Sequence, residues 1–222
     1  MRSLSARCLM LLAALAYSQA AATAESPLPP IAARFETIIS GPGQQYQRYE
    51  WHFWRDRDYL EIENLAEHGG EVWTRLANGQ IGYQQLLHAN RQLIDYLPAD
   101  LDALGARPDW QVLSRLLIAP LADMHITGSA SSFSQPAVIY RNGVSNDADL
   151  LVWLTQSQLP AVIQIQHQDQ RLLTRLLELY DLAQSPWPFA RAGAYQSTDF
   201  ADLGDKPLIE QQLHHLKNRY RH

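Results

Sequence analysis

Few side chains in this sequence are of the types and spacings that do chemistry. His52 and Glu61 stand where a hairpin over Glu50 to Asn64, EWHFWRDRDYLEIEN, would set them side by side as an acid–base pair. An ordinary cross-strand pair explains them more simply, because no nucleophile accompanies them. Gly128-Ser129-Ala130-Ser131-Ser132 offers serines, but the Gly-x-Ser-x-Gly elbow and its surrounding α/β alternation are missing, so it reads as a polar loop. Asp199, Asp202 and Asp205 could approach a hard cation. Calcium loops space their ligands more closely around a central Gly, however, and Asp205 before Lys206-Pro207 reads as a helix cap. His214 and His215 are adjacent and diverge on a helix, Met124-His125 is slender support for copper, and no His-Glu-x-x-His pattern occurs. Gly41-Pro42-Gly43 is a turn without the lysine of a phosphate loop. These residues predict no catalytic group, no metal and no cofactor.

The elements that would position such groups begin after an export signal. Arg2 and Arg7 precede the apolar run Cys8 to Ala16, and Ala22-Thr23-Ala24 supplies small residues, so residues 1–24 read as a signal peptide cleaved after Ala24. Cys8 leaves with it, which removes disulfides, thiolate nucleophiles and cysteine metal ligands from the mature chain. No later stretch approaches the roughly 20 apolar residues of a spanning helix. The mature chain carries 16 Lys and Arg against 23 Asp and Glu, a net charge of −7, which disfavours nucleic acid as a partner. Residues 25–222 show no linker or repeat and read as one domain with one core.

Alternation and turn residues dominate the first half. Asn78-Gly79 joins strands over 71–76 and 81–87, and His88 to Arg91 turns the chain into a third strand over 92–97. Asp109 caps a helix over 110–121, with Trp110, Val112, Leu113, Leu116, Leu117 and Leu121 at helical spacing and Pro120 near its end. Strands resume over 136–141, 149–155 and 161–168. The stretch 171–182 fits helix or strand and is read as a strand, because a turn at 168–170 would pair it with its predecessor. Residues 206–220 close the chain as an amphipathic helix. The pattern predicts about nine strands and two or three helices, an antiparallel α+β domain.

Within the opening hairpin, a turn at Arg55 to Asp58 would pair Phe53 with Leu60, Trp51 with Ile62, Trp54 with Tyr59, His52 with Glu61 and Glu50 with Glu63. Trp51, Phe53, Leu60 and Ile62 then share an apolar face, and the charges gather at the turn and on the other face. Leu86 and Leu93 lie on one face of the next strands, and Tyr83, Ile94 and Tyr96 on the other. One set is buried by helices; the second needs another layer, a cavity or a partner.

Three places resemble the periplasmic lipoprotein-sorting family, LolA and LolB. Trp54-Arg55 before a turn and Tyr59 after it are similar to the family's strand, arginine-containing turn and aromatic return. Asn78-Gly79 with Tyr83 is similar to its glycine turn and aromatic strand. Leu159-Pro160-Ala161-Val162-Ile163, returning through Leu176-Leu177-Glu178-Leu179, is similar to its Leu-Pro-initiated hairpin. Arg55-Asp56-Arg57 stands where the carriers have Arg-Pro-Gly, and Leu60 where they have a second arginine. The resemblance implies a curved antiparallel sheet, an incomplete β-barrel closed by helices around an apolar cavity, with Arg55 on its rim. Trp51, Phe53, Leu60, Ile62, Trp73, Tyr83, Ile94 and Tyr96 would line the sheet side, and Trp110, Leu113 and Leu117 the helix side. The expected function is a non-enzymatic periplasmic carrier whose partner is a lipid or acylated protein. The alternatives are a module docking an envelope protein on the same fold and, behind it, a hydrolase using His52 with Glu61 or the 199–205 carboxylates.

Overall fold

The computed structural model describes residues 27–41, 46–66, 69–106, 108–116, 124–143, 148–167, 169–187 and 194–203. Residues 1–24, Leu117 and the expected helix over 206–220 lie outside them. The strands are β1 (Ile31–Ser40), β2 (Gln47–Arg55), β3 (Tyr59–Asn64), β4 (Gly69–Arg75), β5 (Ile81–Leu87), β6 (Gln92–Tyr96), β7 (His125–Ser132), β8 (Gln135–Arg141), β9 (Leu150–Leu154), β10 (Leu159–His167), β11 (Gln170–Asp181) and β12 (Gln196–Asp199). Two helices, α1 (Pro98–Ala103) and α2 (Trp110–Arg115), lie between β6 and β7.

All twelve strands join one open sheet in the order β12-β6-β5-β4-β3-β2-β1-β11-β10-β9-β8-β7. Two antiparallel meanders, β1 to β6 and β7 to β11, meet where β1 pairs with β11, while β12 runs parallel to β6 and makes the sheet mixed. This overturns the expected α+β architecture of a sheet or incomplete barrel closed by helices. Each helix has only six residues, a length of about 9 Å, against a sheet whose strands stand about 4.8 Å apart. The expected long helix stops early because Leu116 adopts a left-handed backbone with φ 54°. Its start is as read: the Asp109 carboxylate accepts from the Gln111 amide at 2.7 Å. Among the described residues no helix is long and apolar enough to cross a membrane.

The β4–β5 turn follows its sequence signal, with Gly79 at φ 82° and its amide donating to the Leu76 carbonyl at 2.8 Å. The β5–β6 turn over His88–Asn90 ends with Arg91 at φ 51°. The 171–182 stretch is a strand, β11, as read. The loop expected around Gly128 to Ser132 is instead strand β7. Its small polar residues carry no apolar alternation because, at the sheet edge, most of the strand is exposed on both faces.

One apolar cluster occupies one face of the sheet, drawing Phe35, Phe53, Leu60, Trp73, Tyr83, Tyr96, Leu154, Leu159 and Leu176 from both meanders and Leu101, Trp110 and Leu113 from the helices. A smaller cluster of Val72, Leu86 and Leu93 occupies the opposite face, with Tyr59 and Tyr195 packed on it. Both faces of β4 to β6 are therefore buried, and part of the second layer is the chain's own segment after β11.

Candidate functional site

The β2–β3 hairpin is built on a register two residues from the expected one. Arg55 pairs with Leu60, Phe53 with Ile62, Trp54 with Glu61, His52 with Glu63 and Trp51 with Asn64. Arg55 thus belongs to the strand and the turn is tighter. A shift of two preserves faces, so Trp51, Phe53, Leu60 and Ile62 still face one side. His52 loses Glu61 as its neighbour and meets Glu63 instead, Nδ1 to Oε2 at 3.2 Å. Glu61, buried at 1% exposure, accepts from the Tyr59 hydroxyl at 2.8 Å. Burial first, and the Glu61 charge second, push the Tyr59 phenol well above its ordinary range.

Arg55 is not on a rim. It is 1% exposed, and its guanidinium donates to four backbone carbonyls: Pro29 (3.2 and 3.0 Å), Ser114 of α2 (2.7 Å), Ser157 (2.5 Å) and Gln158 (3.3 Å). No carboxylate among the described residues pairs with it. Burial, with Arg115 nearby, lowers its pKa to about 9, so it remains a cation at neutral pH. In a flat sheet β2 and β10 would stand three strand spacings, about 14 Å, apart. Their meeting at one guanidinium requires that this end of the sheet be drawn inward. Beside it, the Arg75 guanidinium lies 5.2 Å from the Trp110 ring centroid, tying β4 to α2.

Burial falls away from this end. β1 passes from buried Ile31–Ala33 to half-buried Ile38–Ser40, β2 from buried Arg55 to exposed Gln47, β3 from buried Leu60 to half-buried Asn64, and β10 from buried Leu159 to exposed Gln166. Along these four strands the cover is thinner at the end away from Arg55, whereas β11 is half-buried or exposed at both of its ends. The expected lining residues divide along this gradient. Phe53, Leu60, Trp73, Tyr83, Ile94, Tyr96, Trp110 and Leu113 are buried in one cluster. Several pack ring on ring, Trp73 with Tyr83 at 4.3 Å, Tyr83 with Tyr96 at 5.1 Å and Tyr96 with Phe200 at 4.7 Å. Trp51 and Ile62 are only partly buried and lie toward the open end, where Leu87 and Val152 join the same cluster. Leu117 lies outside the described residues.

Toward the open end the apolar face carries a polar trio that the sequence reading missed. The Thr37 and Thr174 hydroxyls are 3.0 Å apart, and the Trp51 indole N–H donates to Thr37 Oγ1 at 3.0 Å while the ring stacks on Phe35 at 4.5 Å. Thr37 escaped notice because β1 lies between β2 and β11 and is buried on both faces, so it shows no alternation. Leu87 and Val152 lay on expected strands but were not among the expected lining residues.

The opposite face is wholly different. Glu36, 1% exposed, accepts from Arg175 and from Arg48 Nε at 2.5 Å, and Arg34 joins Glu178 and, at 3.7 Å, Glu50. The Arg175 hydrogen bond foremost holds the Glu36 carboxyl below the usual range. Trp187 stacks on His52 at 4.2 Å and accepts at its carbonyl from the Trp54 indole at 3.3 Å, and Tyr195 reaches His88 Nδ1 at 2.7 Å. Trp187 thus lies over β2 and Tyr195 lies against His88 just past β5. Among the described residues no group of three or more His, Cys, Asp or Glu is placed to hold a metal ion.

No family model and no curated protein matches this sequence. Several solved structures align with it at low similarity. A LolA superfamily protein from Nitrosomonas europaea aligns at 10% identity over 69% of this chain and 86% of its own, with a TM-score of 0.34. A DUF1329 family protein from Desulfovibrio piger aligns at 10% identity over 75% of this chain and 92% of its own, TM-score 0.34. The Pseudomonas aeruginosa MucA/MucB complex aligns at 10% identity over 68% of this chain and 51% of the matched chain, TM-score 0.33.

Proposed function

We propose that this chain is an exported, non-catalytic binding protein that takes an acyl chain or similar linear apolar ligand at the open end of its sheet. The observation that carries this reading is the burial gradient. Along β1, β2, β3 and β10 the apolar cluster is most deeply buried toward Arg55, and toward the other end it is only partly covered at Trp51, Ile62, Leu87 and Val152. At about 0.8 kcal/mol per buried methylene, about ten methylenes supply about 8 kcal/mol, a micromolar-class gross affinity with no charge contact. Carriage of a lipid or an acylated protein through the periplasm is the fuller form of the same reading. Protein purified without detergent should yield acyl species on organic extraction and mass spectrometry, and the stripped protein should take up cis-parinaric acid with a rise in fluorescence. Preparations that hold no acyl species and take up none of the probe would overturn it.

A second reading, docking of an envelope protein, is favoured by the β7 edge. Eight residues without a charge beyond His125 border only β8 and are largely exposed. Ser129→Pro, placed to disturb edge pairing, should release a co-purifying partner without lowering probe uptake if this reading holds.

A further inference from the structure

The two edges of the sheet are finished differently. β12 has four residues, ends in Asp199 and runs straight into the 3₁₀ turn Phe200–Leu203, so it offers little to a further strand. β7 has eight residues, borders only β8 and carries neither lysine nor proline. Its register with β8 shifts between Ile126 and Gly128 and is regular from there to Ser132. The hairpin turns on Phe133 and Ser134, at φ 50° and 59°, which makes Ser132 and Gln135 its first hydrogen-bonded pair. Ser131 then stands opposite Pro136, a residue with no amide to give. Ser129 and Ser131 therefore turn one N–H and one C=O each away from β8, to the side where the sheet has no further strand.

Charge gives this edge a direction. β7, β8 and β9 contain no acidic residue, and their two cationic positions, His125 and Arg141, pair across the strands at the end away from the turn. The Arg141 guanidinium has no ion pair among the described residues. The carboxylate of the adjoining turn, Asp149, is held by Asn142 Nδ2 at 2.6 Å and by the Gln166 amide at 2.8 Å. On a chain of net charge −5 this edge is locally positive. At its other end Phe133 is 38% exposed and holds a left-handed backbone that asparagine or glycine adopts at less cost. Phe133 belongs to neither apolar cluster, so core packing does not offset that cost.

We propose that β7 takes an extended segment of a partner protein as a further antiparallel strand, with an apolar side chain of the segment against Phe133 and a carboxylate at the segment's C-terminal end against Arg141 and His125. The inference rests on the β7 docking reading above and adds the partner's chemistry and direction. Antiparallel pairing, the more stable kind, sets the segment's C-terminal end beside His125. A second copy of β7 does not fit, because that strand has no acid to bring to Arg141.

The test is selection of randomised octapeptides displayed on phage against the purified full chain, followed by fluorescence anisotropy with one selected peptide. Selected sequences should carry Asp or Glu within their last two positions and an apolar residue within their first two. Ser129→Pro should abolish their binding at little cost to the fold, since the Ser129 amide bonds nothing in β8. Replacing the peptide's acid by its amide should weaken binding about 2- to 5-fold, the range of a solvent-exposed ion pair. Arg141→Glu should reverse that preference, so that a peptide with Lys in place of the acid binds tighter. Phe133→Asn/Ser134→Gly should raise the melting temperature yet weaken the peptide, a split that a merely structural Phe133 would not give. Sequences that need an intact β7 but show no acidic preference overturn this inference and leave β7 docking standing, even if Arg141→Glu fails to fold. Sequences that bind Ser129→Pro as well as the wild type, or no enrichment over an unrelated protein, overturn the docking reading and this inference together. A wild-type dimer in sedimentation equilibrium that Ser129→Pro dissociates makes the occupant a second copy and overturns it as well.

Discussion

Arg55 and the buried tyrosines carry the most concentrated energetics. Arg55 satisfies four carbonyls from three separate segments and has no carboxylate partner among the described residues. Arg55→Ala would leave those carbonyls unpaired in the interior and should cost roughly 3–5 kcal/mol, read as a lowered urea midpoint. Arg55→Lys should fall between, since an ammonium has three donors and no planar fork. Alkaline stability belongs to Tyr96, 2% exposed, whose phenol is pushed up to about 12 by burial and then by Asp100. Its unfolded value is about 10, so the folded state holds the proton longer. The resulting stabilisation is complete below pH ~10 and disappears as pH rises through ~12, on the order of 2–3 kcal/mol at most. Tyr96→Phe should flatten that alkaline decline in denaturation midpoints measured between pH 9 and 12. An unchanged slope would mean that other groups govern it.

Among the elements, the segment after β11 decides whether the sheet's outer face is core or surface. Trp187 covers His52 by stacking and receives the Trp54 indole, while Tyr195 covers Val72, Leu86 and Leu93. Trp187→Ala should destabilise the fold by about 2–3 kcal/mol, below the fully buried range because the ring is partly exposed, and should uncover the Trp54 indole to fluorescence quenchers. Gly70 in β4 explains a second packing constraint. A Cβ there would come within 3.0 Å of the Ile62 carbonyl oxygen and 3.2 Å of His88 Nε2, so Gly70→Ala should lower the melting temperature although the strand would otherwise favour a side chain. The sequence marked the hairpins where turn chemistry is local, as at Asn78-Gly79. It did not mark β1, buried on both faces, or β7, exposed on both, because strand recognition relies on faces that differ.

For the chain as a unit, an apolar surface less covered at the end away from Arg55 makes a directional prediction about binding. Ile62→Lys places a charge among Trp51, Phe53 and the cluster toward the open end, and should lower cis-parinaric acid uptake at least tenfold with little loss of stability, because that position is half-exposed. The matching change at a sealed position, Leu60→Lys, should unfold the protein instead. Loss of stability in both variants, with no separate effect on uptake, would argue against an open end.

The sequence alone determined which side chains share a face. A strand's period of two survives a register error of two, so Trp51, Phe53, Leu60 and Ile62 were grouped correctly although their partners were not. It also determined the Asp109 cap and the Gly79 turn, whose signals are complete within a few residues. Tertiary structure decided the rest. Helix length depended on Leu116 entering a left-handed conformation, and the second layer came from a segment far along the chain. Arg55 changed from an expected rim charge to a buried cation because its acceptors, Pro29, Ser114, Ser157 and Gln158, are backbone carbonyls of distant segments. Backbone carbonyls are present at every position, so no residue type announces them. Only the folding of those segments to one point turns an ordinary strand arginine into the seal of the sheet.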